Sequence, residues 1–332
     1  MTYRRVILPA TVAAFVAAAA LVVAQEPAAT KAPHAAAIPR TADGHPDFQG
    51  SWSTETFTPF ERPAAFKDQE FFTAQQAAAY ADQQRERQEE QADFPVHYDN
   101  AIWMSEKTPR GMTTLRTSIV TTRDGKVPPM NAEGRARAAA KAAERKKADP
   151  FASAQSRGLS ERCIYWAHEG PPLLPTGYNN NLEIAQSPDS FVIIPEMMPV
   201  ARVAPLDGRP HLASDLRNIR GDQRAHWDGD TMVIESANFT DRTAFRGSSE
   251  HLTVTERLTM LDADTIRYQF TITDPHTWDT PWTGEYEMKR TNYPMYEYAC
   301  HEGNYGMANT LRAARKAEAD AKKAAAGTST QQ

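Results

Sequence analysis

The chain has 332 residues, with 37 Lys and Arg against 42 Asp and Glu, and a formal net charge of -5. A sequence pI near 6.0 excludes a nucleic-acid binder that relies on a basic domain surface. The length suffices for one large domain or two small ones once the terminal segments are set aside.

Arg4 and Arg5 precede an apolar run from Ile7 to Ala24, and Val22 and Ala24 are small residues before Gln25. This pattern predicts a signal peptide over 1–24, cut after Ala24, and hence a periplasmic or secreted protein. Residues 25–40 are rich in Ala and Pro and read as a tether. A single β-rich domain with helical insertions is expected over 41–308, followed by a C-terminal helix and tail over 309–332.

Phe48 to Trp52 reads as a first strand. Its Gly50-x-Trp52 entry recurs in lipocalin-type barrels, where the Trp plugs one end. Residues 73–92 predict an amphipathic helix, with Thr73 and Gln76 spaced as a capping box. Thr113 to Arg123 is β-branched and strand-like. Residues 131–147 and 309–326 predict two further helices rich in Ala, Lys and Arg, whose charges read as solvated faces.

From Leu182 the pattern turns strongly β. Phe191 to Pro195, Val200 to Ala204, Thr231 to Phe239, Leu252 to Leu261, Thr265 to Thr273 and Gly284 to Thr291 are six candidate strands with tight turns between them. The fold class is therefore mainly β: an antiparallel meander closed as a lipocalin- or calycin-like barrel, or folded as a sandwich, with peripheral helices. Alternation places Ile266, Tyr268, Phe270 and Ile272 on a buried face. The preceding strand puts Glu256 on the same face as Leu252, Val254 and Leu258. A carboxylate there must be paired or protonated. Arg290, on the face of Gly284, Tyr286 and Met288, is the structural partner expected; a catalytic role is the alternative.

Cys163 and Cys300 are the only cysteines. In an oxidising compartment they form one disulfide across most of the β meander. Were they reduced, Cys163, His168, Cys300 and His301 would make a Cys2His2 set. No closely spaced metal-ligand set and no nucleotide-binding or nucleophile-elbow motif is written in the chain, so no cofactor is expected.

The stretch from Arg209 to Asp230 is dense in polar and aromatic groups ahead of a strand, as expected of loops at a barrel mouth. Candidate catalytic residues are His211, His251, Glu256 and His301, because imidazole and a buried carboxylate supply acid and base near neutral pH. Candidate substrate-binding residues are Asn180, Arg224, Trp227 and Arg257.

The motifs Pro39-Arg40-Thr41-Ala42-Asp43-Gly44-His45-Pro46-Asp47, Arg162-Cys163, Gly170-Pro171-Pro172, Tyr178-Asn179-Asn180-Asn181, Pro205 to His211, Trp227-Asp228-Gly229-Asp230-Thr231, Glu256-Arg257 and Tyr298-Ala299-Cys300-His301-Glu302-Gly303-Asn304-Tyr305 together resemble a family of exported bacterial proteins of largely uncharacterised function. The resemblance spans roughly Ile38 to Met307. It implies one exported domain and names no reaction. His226 stands where relatives are expected to carry Gly or a similar residue, which shifts catalytic weight to His211, His251 and His301.

Two functions follow as expectations. One is a cofactor-independent lyase, isomerase or hydrolase working by His/Glu chemistry at the barrel mouth. The other is a non-catalytic binder of a small hydrophobic or glycosidic ligand. The expected partner in both is a small molecule, with membrane contact only through the signal peptide.

Overall fold

The computed structural model of the protein describes residues 37–92, 111–243 and 245–329. The segment expected to be a signal peptide, and the tether up to residue 36, lie outside the described residues.

Among the described residues, nine strands form one antiparallel sheet: β1 (Gly50–Ser53), β2 (Asn181–Gln186), β3 (Ser190–Pro195), β4 (Arg202–Pro205), β5 (Asp222–Asp228), β6 (Thr231–Ala237), β7 (Thr253–Asp262), β8 (Thr265–Thr273) and β9 (Trp282–Arg290). Their order is β4-β3-β2-β1-β9-β8-β7-β6-β5. The sheet curls into a nearly closed barrel. First and last strands pair through Trp52–Arg290 and Ser53–Lys289. The seam falls mid-chain instead: β4 and β5 lie side by side but share no ladder among the described residues.

Period-2 alternation decides which side chains fill the barrel. On β8 the inner residues Ile266, Tyr268, Phe270 and Ile272 are all sealed from solvent, as are Tyr286 and Met288 on β9. Each large side chain buried this way contributes about 1.5–3 kcal/mol. Trp52 is fully buried at one barrel end; its indole N–H donates to the Phe48 carbonyl, and the Arg290 guanidinium lies 4.2 Å from the ring centroid.

Among the described residues, three α-helices sit outside the sheet: α1 (Ala74–Ala92), α2 (Ala132–Lys147) and α3 (Tyr305–Ser329). The capping box of α1 forms as the sequence predicts. The Gln76 backbone N–H donates to the Thr73 hydroxyl, and the Thr73 backbone N–H donates to Gln76 Oε1. Asn131 caps α2 by accepting from the Gly134 N–H. No helix among the described residues is long and apolar enough to cross a membrane.

Three strand expectations change. β2 was not among the expected strands, and β5 occupies what reads as a polar mouth loop. Thr113 to Arg123 forms only isolated bridges, at Arg116 with Phe71 and at Val120 with Gly284. Ile119 to Thr121 continues the sheet along the half of β9 that β1 leaves free, through bonds of the Glu285 N–H to the Ile119 carbonyl and the Thr121 N–H to the Thr283 carbonyl.

Cys163 and Cys300 form the disulfide, with Cα atoms 5.8 Å apart. Met197, Met198, Trp166 and Tyr298 pack around it. The bond ties the segment ahead of α3 to the turn at 158–163, ahead of β2. With both sulfurs committed, the Cys2His2 alternative has no thiolate to offer.

Candidate functional site

The barrel interior is occupied. Glu169 to Leu174 turns back on itself through a bridge between Glu169 and Leu173, around cis peptide bonds at Gly170-Pro171 and Pro171-Pro172. This loop plugs the barrel. The Leu173 N–H donates to the Tyr268 hydroxyl at 2.8 Å, and the Tyr286 hydroxyl donates to the Leu173 carbonyl at 3.2 Å. A buried backbone must find such partners, because leaving its polar groups unpaired costs about as much as a lost hydrogen bond. Gly170 adopts a φ of +86° and lies against Arg202, where a Cβ would sit 2.7 Å from the guanidinium. Only glycine fits both demands.

Beneath the plug, Arg202 and Glu256 form an ion pair between side chains that are 3% and 0% exposed as residues. The Arg202 guanidinium donates to both carboxylate oxygens, and the Tyr268 hydroxyl donates to Glu256 Oε1 at 2.6 Å. Glu256 is thus paired, but with Arg202 rather than with Arg290. Arg290 instead bonds the Ala263 and Gln49 carbonyls and covers Trp52. Burial disfavours the Arg202 cation, and the adjacent Glu256 more than offsets this, so its pKa is raised. Burial also pushes the Tyr268 hydroxyl well above its usual range. A second pair joins Arg220 to Glu169 at 2.9 Å. Burial raises the Glu169 carboxyl to about 7, against the opposing pull of Arg220.

An open cleft of about 630 Å³ lies where the plug meets the chain leaving β1. The size suits a small organic ligand. Phe60, Ile119, Leu174 and Phe245 supply apolar walls, and Thr56, Thr58, His168 and Arg246 supply polar groups. Phe245 stacks on Trp282, and Phe60 meets the same indole edge-on. The walls therefore rest on a fixed aromatic cluster. Burial holds the His168 imidazole down to about 4, so it is neutral at pH 7. Arg246 lies 4.0 Å over the Phe60 ring and adopts a φ of +52°.

The sequence-predicted residues fall in several places. His211 and Arg224 come together at the start of β5, where both bond Asp222, at 2.9 and 2.6 Å. Those bonds, with one from the Leu212 N–H, outweigh burial and hold the Asp222 carboxyl low. His251 stacks on His276 with ring centroids 4.3 Å apart. His276 in turn meets Glu133 of α2 at 2.8 Å. Glu256 lies inside the barrel, and His301 is exposed in the turn after Cys300. Among the described residues, no hydrogen bond, ion pair or ring contact joins any two of His211, His251, Glu256 and His301.

Trp227 stacks face to face on His45, and Arg257 bonds Asp228 at 2.7 Å. Asn180 adjoins the cleft: its side chain accepts from the Thr176 N–H and donates to the Thr176 carbonyl, closing the loop that carries Gly177. Phe60, Thr56, Thr58 and Arg246 gave no signal in the sequence, and His168 stood out only as a partner for free thiols. Among the described residues, no group of three His, Cys, Asp or Glu side chains is placed to hold a metal ion.

Fold and site together define a mainly-β barrel with a filled interior and an open, partly aromatic cleft at its plugged end. Comparison with protein-family models, with curated proteins and with solved structures finds no match for this chain.

Proposed function

We propose that this is an exported binding protein that holds one small organic molecule in the cleft beside the barrel plug. The observation that carries the reading is the cleft itself: about 630 Å³, walled by Phe60, Ile119, Leu174 and Phe245, with hydroxyls and one cation at its border. The filled barrel interior argues against a ligand held in the lumen. Export rests on the N-terminal pattern, the resemblance to exported bacterial proteins and a disulfide suited to an oxidising compartment.

The test is a thermal-shift screen of small metabolites with a blocked cleft as control. Gly177 lines the cleft, and a Cβ there meets nothing within 4 Å. Gly177→Trp is therefore expected to crowd the cleft with no clash at its Cβ, and an unchanged Tm without ligand checks that the fold is kept. Ligands that stabilise the wild type are expected to lose that effect in the variant. Stabilisation that survives Gly177→Trp unchanged places the ligand elsewhere and refutes the reading.

A second reading, a cofactor-independent lyase, isomerase or hydrolase, draws on one observation. His168, neutral at pH 7, borders the same cleft. Turnover of a stabilising ligand that His168→Gln abolishes would favour it over simple binding.

A further inference from the structure

Resting on the reading of the cleft as a ligand site, we propose that its ligand is an organic anion: a carboxylate or sulfonate head engaged by Arg246, on a flat apolar body lodged against Phe60 and Phe245.

Charge within the cleft points this way. Among its described lining residues there is no Asp or Glu, and Arg246 is the one charged side chain. Elsewhere the described arginines commonly meet carboxylates: Arg40 with Asp230, Arg116 with Glu70, Arg202 with Glu256, Arg220 with Glu169 and Arg257 with Asp228. Arg246 has no carboxylate partner among the described residues; its contact is the Phe60 ring. In a chain with net charge -5, a local cation without an anion is a site of selective attraction for anionic ligands.

The backbone gives an independent reason. Arg246 sits at φ +52°, ψ 29° inside the short turn Phe245–Gly247. A long side chain in the left-handed region is uncommon and costs on the order of 1–3 kcal/mol, and such outliers cluster at ligand clamps. From this position the guanidinium lies over Phe60 at the cleft border. A planar guanidinium suits bidentate recognition of a carboxylate or sulfonate.

The body of the ligand follows from the walls. Phe60 and Phe245 both contact Trp282, at centroid distances of 6.4 and 6.2 Å, so their faces are held by a rigid neighbour. A flat apolar group is the shape such walls accept. The Thr56 and Thr58 hydroxyls, 2.9 Å apart, add a neutral polar border.

The experiment uses two related dyes on the folded full-length mature protein. 8-Anilinonaphthalene-1-sulfonate carries a sulfonate; N-phenyl-1-naphthylamine is its neutral parent. Fluorescence titration is expected to give one site that prefers the anionic dye by about tenfold, the scale of one charge-assisted hydrogen bond. Arg246→Gln is expected to remove that preference, and an unchanged circular dichroism spectrum and Tm report that the variant is folded. Arg246→Lys is expected to retain only part of it, since an ammonium keeps the charge but not the bidentate fork. Equal affinity for both dyes in the wild type, with Gly177→Trp blocking both, overturns the anion inference and leaves the cleft reading standing. Dye binding insensitive to Gly177→Trp, or no binding of either dye, overturns both.

Discussion

Arg202 on β4 and Glu256 on β7 meet inside the barrel, 54 residues apart in the chain, and the Tyr268 hydroxyl completes the contact. The pair links β4, at the open seam, to β7, the third strand beyond it. It also sits beneath Gly170, so the plug rests on it. A buried pair of this kind is costly to break on one side only, because the surviving charge is left unpaired.

Glu256→Gln is therefore expected to lower stability by about 3–5 kcal/mol. Replacing both partners with apolar residues, Arg202→Met with Glu256→Leu, is expected to recover much of that loss. Urea denaturation of the three proteins measures it. A Glu256→Gln protein as stable as the wild type would mean that the pair is not buried as described.

The disulfide closes a separation of 137 residues. In the chain-entropy account, a loop of this size contributes roughly 4–5 kcal/mol by restricting the unfolded chain. Cys163→Ser with Cys300→Ser is expected to shift the denaturation midpoint downward by about 2–5 kcal/mol in stability. Treating the wild type with reductant is expected to reproduce the shift, and the double variant should not respond to reductant.

His168 and Glu169 are neighbours with opposite pH signatures. Burial takes His168 from 6.5 down to about 4, so between those values the folded protein binds fewer protons than the unfolded chain. Its share of stability is present above 6.5 and is lost as pH falls toward 4. Burial takes Glu169 from 4.5 up to about 7, so the folded protein binds more protons in that window. Its share is present below 4.5 and is lost as pH rises to 7. His168→Gln removes the first dependence and keeps the second. The Tm difference, variant minus wild type, is expected to be more positive near about pH 5 than near about pH 7.5. A difference independent of pH would show that His168 titrates normally.

Gly284 on β9 faces Phe270 on β8 across the ladder, and a Cβ at Gly284 would sit 2.2 Å from the ring. Gly284→Ala is expected to cost about 1–3 kcal/mol through overpacking. Phe270→Leu in the same chain is expected to relieve part of that cost, so the two substitutions should be non-additive in thermal denaturation.

Much of the wall was legible in the sequence, because alternation is a local signal. Thr265 to Thr273 reads as a strand and is β8 with the same bounds. Glu256 stands out as a carboxylate among apolar residues, and it is buried. Its partner was not legible: Arg202 reaches it across the barrel, and no local spacing records that. β5 reads as a loop because its inner positions are Gln223, Ala225 and Trp227, a weak apolar stripe beneath Arg224 and His226. Gly170-Pro171-Pro172 stands out in the sequence only as a motif, and irregular segments usually run over the surface. Here Tyr268 and Tyr286 satisfy the Leu173 backbone and let the loop enter the barrel. The cleft was the least legible part. Phe60, Ile119, His168, Gly177 and Arg246 come from separate stretches of chain and meet only once the barrel is closed and plugged.

The most direct test of the account is to locate the bound molecule. Backbone amide NMR spectra of the protein, titrated with 8-anilinonaphthalene-1-sulfonate, report which residues it touches. The account predicts saturable shifts concentrated at Thr56, Thr58, His168, Gly177 and Arg246, and no comparable shifts at Leu212 or Leu216 beside the β4–β5 seam. Shifts centred on the seam, with the cleft residues unmoved, would contradict it.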